Sequence, residues 1–290
     1  MMLVVGATGQ LGGKIARGLL ARGKAVRILA RPGSVVAPLV DLGVTVAMGD
    51  LRDRASLDAA CHGATTVVTT ANSARRIGDD NVETVDLHGT RHLIDAARAA
   101  GVGHVIYTSV LGVSPDSPIP LLAAKGANEA HLRKSGMRWT ILAPNAFIES
   151  WPAMVVGRPA TMGLPVSVVG SGLRRHVFVS EDDVAAFGIA VVDHPAAVNQ
   201  HLAIGGPQAL SWRDVVAVYE RVLGRPIEIR FVKPGEPVPG IPAPVLPLLA
   251  NLDTYDTDFD TAPLARSFGV RLTTLEEVAR KTIAAGMAHD

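Results

Sequence analysis

The segment Gly6-Ala7-Thr8-Gly9-Gln10-Leu11-Gly12 constrains this chain more than any other, because it joins an apolar run, MLVV, to an amphipathic run, LGGKIARGLLA. A chain that goes from strand to helix through glycines at every third position must turn within a few residues. Glycine permits that turn, and its missing side chain lets backbone N–H groups come close to phosphate oxygens. The start of the following helix adds the positive end of a dipole. A purely structural turn is the alternative. A second strand, AVRILA, follows, and this strand-turn-helix-strand context favours a dinucleotide diphosphate. The residues expected around it are Gly6, Thr8, Gly9, Gln10, Leu11 and Gly12.

Strand and helix signals keep alternating beyond the turn. VTVAMGD, TTVVTTA, HVIYTSV and RWTILAP read as further strands, separated by helical patterns, and NQHLAIGG as a seventh. Their apolar runs are continuous rather than alternating, as in parallel strands covered on both faces. The expected fold is therefore α/β, a Rossmann-type doubly wound parallel sheet with a smaller, mostly helical C-terminal lobe. Residues 1–150 would form the nucleotide domain, completed by about 176–205. Residues 151–290 would form the smaller lobe, interleaved in sequence and including a Gly- and Pro-rich stretch near 150–175. A cleft between the two would take the substrate. The proline-rich run KPGEPVPGIPAPVLP reads as irregular.

Composition removes several alternatives. A net charge of +1 projects no field toward nucleic acid or a membrane, and 4% aromatic residues cannot build a base-stacking platform. A single cysteine, Cys61, excludes an internal disulfide and a cysteine-rich metal site. His88 and His92 are spaced for one helix face, but HGTRH lacks the acid of a zinc-protease motif, so no metal is expected. Arg174 and Arg175 could bind an acidic substrate or be a solvated pair. The start of the sequence lacks a basic region, apolar run and cleavage site, and no apolar run is long enough to span a bilayer. A cytoplasmic protein with a small-molecule substrate is expected, with neither nucleic acid nor membrane as partner. The oligomeric state is not readable.

The end of the second strand bears on which dinucleotide is bound. An acid there would accept the ribose hydroxyls of NAD, whereas a base would pair with the 2′-phosphate of NADP. The sequence has Arg31 in ILARPGS, so NADPH is favoured over NADH.

The turn, spelled GATGQLG, is similar to that of the extended and atypical short-chain dehydrogenases/reductases. GDLRD resembles the family segment beside the adenine ring, which implies that role for Asp50 and Leu51. TTAN resembles the loop along the cofactor's ribose, implying Thr70, Ala71 and Asn72. VIYTSV resembles the strand that delivers an active-site Ser or Thr, here Ser109. TILAPNAFIES resembles the substrate-side loop, implying Asn145 and Phe147. FVSEDDVA and SWRDVVAVYERVLGRPIEI resemble later landmarks of the NmrA-like branch, which includes quinone-reductase-like proteins.

The resemblance also exposes a departure. Most of these enzymes place a Tyr four residues before a Lys on one helix face, where the Tyr transfers a proton. Here Lys125 is preceded at that spacing by Leu121, which has no proton to give. Relatives resembling isoflavone reductase also lack the Tyr and rely on a Lys, which implies that Lys125 fixes the nicotinamide ribose or polarises the substrate. An exposed partner of Glu129 is the alternative reading of Lys125, and a backbone-satisfied hydroxyl that of Ser109. Hydride transfer to a quinone or another conjugated molecule is the expected activity, since such an acceptor can take its proton from water. A sensor that binds NADP(H) without turnover and acts through a protein partner is the other expectation.

Overall fold

The computed structural model describes residues 1–73 and 78–287. Nine strands lie in it: β1 (Met2–Val5), β2 (Val26–Ala30), β3 (Thr45–Met48), β4 (Thr66–Thr69), β5 (His104–Thr108), β6 (Arg138–Pro144), β7 (Val166–Val169), β8 (Gln200–Ile204) and β9 (Ile229–Val232). Helices α1 (Gln10–Ala21), α2 (Ala37–Val40), α3 (Arg54–Cys61), α4 (Thr90–Ala99) and α5 (Pro120–Arg133) connect the early strands. The later helices are α6 (Arg158–Thr161), α7 (Glu181–Ala190), α8 (Trp212–Leu223), α9 (Leu246–Leu252), α10 (Ala262–Phe268) and α11 (Leu275–Met287).

Seven strands form one sheet in the order β3-β2-β1-β4-β5-β6-β8. The pairings from β3 through β6 are parallel, and Val5 stands level with Leu29 on one side and Thr69 on the other. Every residue of β1, β4 and β5 is buried, which is why their sequences show no alternation of apolar and charged residues. Strand order reverses between β1 and β4, so the loops after these two strands lie side by side at the carboxyl edge. That edge is where open α/β sheets bind ligands.

The residues divide into two compact units. The first comprises Met1–Pro144, Val184–Ala203 and Phe268–Val270, and the second comprises Asn145–Asp183, Ile204–Ser267 and Arg271–Asp290. The core of the first gathers Leu3, Val5, Leu57, Leu93, Tyr107 and Ile141, all 2% exposed or less. That of the second gathers Val168, Phe178, Trp212, Val215 and Tyr219. In the second unit His176 is fully buried, with Nε2 2.8 Å from the Leu252 carbonyl and Nδ1 3.0 Å from the Thr257 hydroxyl.

Three details differ from the sequence reading. The Gly- and Pro-rich stretch near 150–175, in which no strand was expected, contains β7, which pairs in parallel with β9. Four residues between glycines are too short for a clear period. The proline-rich run ends in α9, whose Pro247 lies in the first turn, where no N–H is needed. The helical pattern between β4 and β5 begins as a π-helical segment over Val82–Gly89 before becoming α4. Asn81 caps this segment, its side chain accepting from the Glu83 and Thr84 amides at 2.9 and 3.1 Å.

Among the described residues, no helix is long and apolar enough to cross a membrane, and no cluster of three side chains could hold a metal. His88 is exposed and lies 3.9 Å from Glu83.

Candidate cofactor and active site

The turn after β1 is tightly packed backbone. Gly6 has φ of +92°, and a Cβ built on it would lie 2.7 Å from Thr70 Oγ1 and 2.9 Å from the Ala71 nitrogen. A Cβ on Gly12 would lie 2.3 Å from the Gly6 oxygen and 2.7 Å from Thr70 Oγ1. The turn therefore lodges against the loop after β4, and the structure brings Gly6, Gly12, Thr70 and Ala71 together. Gly9 is different. It is exposed, with φ −88° and ψ 172°, a conformation open to any residue, and its Cβ would meet only the Gly6 oxygen at 3.3 Å. It is the N-cap of α1 with no side-chain cap, and the first turn carries no acid. Thr8 and Gln10 are exposed beside it, and Leu11 is half-buried. The surroundings thus fit a diphosphate, with room above Gly9 and a helix start that supplies amides and positive potential.

Arg31 follows β2 directly and is half exposed. Its Nη1 donates to Asp80 Oδ2 at 2.8 Å, and its Nε is 3.9 Å from Asp50 Oδ2. Arg52 adds a second cation, with Nε 3.1 Å from Asp80 Oδ1 and 3.5 Å from Asp50 Oδ1. Asp50 also accepts from the Arg52 amide at 2.8 Å. Leu51 is 2% exposed, so it offers a ligand its backbone rather than its side chain.

The loop after β4 is held from behind. The Asp86 carboxylate accepts from the Ser73 amide at 3.1 Å and from its hydroxyl at 2.5 Å, while Asn128 Nδ2 donates to the Asp86 carbonyl at 2.5 Å. Asn72, one residue before Ser73, is thereby placed by α5 and the π-helical segment together.

Lys125 lies on the same face of α5 as Asn128. It is buried, not exposed, and its Nζ donates to the Thr108 carbonyl at 3.0 Å above the Tyr107 ring. Burial pulls its ammonium below the ordinary lysine value, against Asp86 and Glu129, which raise it. Burial, with Asp86 and Glu129, pushes the Tyr107 phenol upward, and only Asn128 opposes it. Leu121 occupies the turn before Lys125 on α5.

Ser109 lies immediately after β5 and is 1% exposed. Its amide donates to Leu142 at 2.7 Å, but its hydroxyl has no hydrogen-bond partner of regular geometry among the described residues. Glu129 is buried, paired with Arg133 at 2.9 Å and with His201 at 3.5 Å. Burial would raise its carboxyl; His201, Ser109 and Arg133 outweigh that and hold it below the usual range.

Asn145 and Phe147 belong to the second unit. Asn145 Nδ2 donates to Thr257 Oγ1 at 2.7 Å, and its amide donates to Ile204 at 2.8 Å, so it is committed to holding neighbouring segments. Phe147 is half-buried and bridges to Val179. Two concavities, of about 250 and 510 Å³, are lined wholly by second-unit residues. In the larger, Arg174 is neutralised by Asp256 at 3.0 Å, and Arg175 lies 3.6 Å from Asp214, a poor arrangement for an acidic substrate.

Sequence reasoning passed over Arg52, Asp80, Asp86 and Asn128. Arg52 stood inside GDLRD, and Asn128 is three residues after Lys125, on the same helix face. Asp80 had no such signal, because it is remote in sequence from Arg31.

The NmrA-like family model matches residues 1–284, and the chain belongs to that family. The NAD(P)H azoreductase of Xenophilus azovorans is 31% identical over 229 residues, covering 78% of this chain and 75% of that one. The photosystem II assembly factor Ycf39 of Cyanophora paradoxa is 30% identical over 233 residues, covering 80% of this chain and 71% of that one. Among solved structures, the NADPH-dependent quinone oxidoreductase of Escherichia coli, complexed with NADPH, superposes with a TM-score of 0.81. It is 22% identical and covers 98% of this chain and 100% of that one. The triphenylmethane reductase of Citrobacter sp., complexed with NADP(H), gives 0.79 at 23% identity, covering 97% and 99%.

Proposed function

We propose that this chain is an NADPH-dependent reductase that delivers hydride to a quinone or another conjugated small molecule. The observation that carries this reading is Gly9. The other two glycines of the turn are required by the protein's own packing, whereas the chain has no strong steric need for glycine at position 9. Space kept open above an uncapped helix start is what a bound diphosphate requires.

The residues that would hold the cofactor are the turn from Gly6 to Gly12, Arg31 at the 2′-position, Asp50 and the Leu51 backbone near the base, and Thr70 to Asn72 along the ribose. When bound, the dinucleotide supplies the hydride. Lys125, tied to the end of β5 by the Thr108 carbonyl, presents a fixed donor to a ribose hydroxyl or a substrate oxygen. Ser109 places a buried hydroxyl beside Glu129 at the same strand end. Leu121 supplies no proton, so the acceptor must be one that water can protonate. The azoreductase and quinone oxidoreductase among the similar proteins support this substrate class.

The similarity to Ycf39, with the apolar Leu121, favours a second reading in which the chain binds NADP(H) and acts through a partner protein. Purified protein mixed with NADPH and a panel of quinones and azo compounds, followed by cofactor absorbance, separates the two. Turnover that falls in Lys125→Met supports the reductase. Tight NADPH binding with no turnover on any acceptor supports the second reading.

A further inference from the structure

Arg31 does not stand free for a phosphate. Its guanidinium and that of Arg52 enclose Asp80, at 2.8 and 3.1 Å, and both also approach Asp50, at 3.9 and 3.5 Å. Among the described residues, both guanidiniums are thus engaged by carboxylates. Each arginine side chain is 45% exposed, while that of Asp80 is only 10% exposed, so the carboxylate sits behind the guanidiniums. The backbone around Asp80 is fixed. Asn81, the next residue, caps the π-helical segment, and the Asp79 carbonyl accepts the Thr84 hydroxyl at 2.7 Å.

We propose that Asp80 is an internal competitor of the 2′-phosphate, a specificity-determining residue that narrows the preference for NADP over NAD. The proposal rests on the dinucleotide reading above. A phosphate drawn to Arg31 meets a carboxylate already paired with the same guanidinium, and the two anions repel. NAD carries no such phosphate, and a carboxylate beside its ribose is favourable. The arginine that marks the chain as an NADP binder is thus partly spent within the protein.

The test is to measure Kd for NADP⁺ and NAD⁺ by calorimetry, without a second substrate. The wild type is compared with Asp80→Asn, Asp80→Ser and the charge-retaining Asp80→Glu. An exposed ion pair holds its partners by a factor of roughly two to five. Releasing both arginines is therefore expected to tighten NADP⁺ binding by about fourfold to twenty-fivefold. NAD⁺ binding should change less than about twofold, and Asp80→Glu should keep the wild-type ratio. Weaker NADP⁺ binding in Asp80→Asn, or an unchanged ratio, overturns the proposal while leaving the dinucleotide reading intact. Should the neutral variants fail to fold, the wild type still decides. A preference for NADP⁺ below about tenfold is expected, and one above about a hundredfold overturns the proposal. A wild type that binds neither nucleotide overturns both readings.

Discussion

Gly9 and Gly12 lie three residues apart in one turn, yet alanine at each should fail in a different way. At Gly12 the new methyl would sit 2.3 Å from the Gly6 oxygen, 2.6 Å from the Gly6 carbon and 2.7 Å from Thr70 Oγ1. Comfortable contacts need roughly 3.5 Å, so the turn must open by about 1 Å, and two of the three obstacles are backbone. Overpacking of this kind costs about 1–3 kcal/mol, or roughly 2–10 °C in Tm for a chain of this size. The displaced turn should also lose at least one charge-assisted hydrogen bond to a diphosphate, worth about 1.5–3 kcal/mol. NADPH binding should then weaken by about tenfold or more. At Gly9 the methyl meets only one atom, at 3.3 Å, and the backbone conformation suits alanine. The helix loses a favoured cap residue, a cost of about 1 kcal/mol at most. The methyl would nonetheless occupy the space in which a diphosphate approaches the amides. Thermal unfolding followed by circular dichroism, paired with calorimetric titration of NADPH, reads both quantities. Gly12→Ala should lose stability and binding together, and Gly9→Ala should lose binding with little change in Tm. A Gly9→Ala protein that binds NADPH like the wild type would refute the argument that Gly9 keeps room for a ligand. A Gly12→Ala protein with an unchanged Tm would refute the packing argument.

Other consequences are more local. Lys125→Met should lower reductase turnover at least tenfold, since loss of positioning by about 1 Å can cost roughly a hundredfold. It should also alter the alkaline stability profile. Because burial lowers the folded-state pKa of Lys125, the unfolded chain binds more protons between that lowered value and 10.5. Wild-type stability should therefore gain from Lys125 as pH rises through this window, a gain absent in the methionine variant, as denaturant titrations at several pH values would reveal. His104 gives the acidic counterpart. Burial, then Arg138, brings its pKa from 6.5 to about 4, so the wild type should lose stability as pH falls between these values, and His104→Gln should lose less. Cys61 is buried in the core, and burial, with Asp58, pushes its thiol up to about 11. It should resist alkylation at pH 8 in the folded protein and react once denatured; rapid labelling of the native state would contradict its placement.

What the sequence disclosed follows from the range of the interactions involved. The sheet, its parallel strands and the tight turn between β1 and α1 were legible because each is written in contiguous residues: apolar runs and glycine spacing. The π-helical start of the helix after Asn81 was hidden, since its capping residues are the same as those of an ordinary helix. β7 was hidden by its length. The carboxylate paired with Arg31 was hidden for a different reason. Arg31 and Asp80 are separated by a whole strand-helix-strand passage and meet only because β1 and β4 are neighbours in the sheet. The burial of Lys125 belongs to the same class. The spacing to Glu129 invited an exposed pair, but Glu129 is engaged by Arg133 one turn further on, and Lys125 turns to the end of β5.

That placement of Lys125 also limits the chemistry. A proton donor for a reduced substrate has to reach solvent or substrate with a transferable proton. Leu121 has none. Tyr107 lies under Lys125 and carries a phenol, but it is 2% exposed, and its proton is held more tightly than in water by burial, Asp86 and Glu129. Lys125 keeps a donor that is already directed at the Thr108 carbonyl, so it suits fixing an oxygen in place better than cycling a proton. Ser109 faces the buried Glu129 carboxylate, whose proton affinity it lowers, so neither group is a ready acid. A simple ketone, whose developing alkoxide needs an acid within hydrogen-bond reach, is therefore a poor substrate for this arrangement. A quinone or an azo group spreads the added charge over a conjugated system and can wait for water. On the proposed reductase reading, the missing tyrosine leaves hydride transfer intact and favours such acceptors, and a panel that includes simple ketones should show turnover with the conjugated compounds alone.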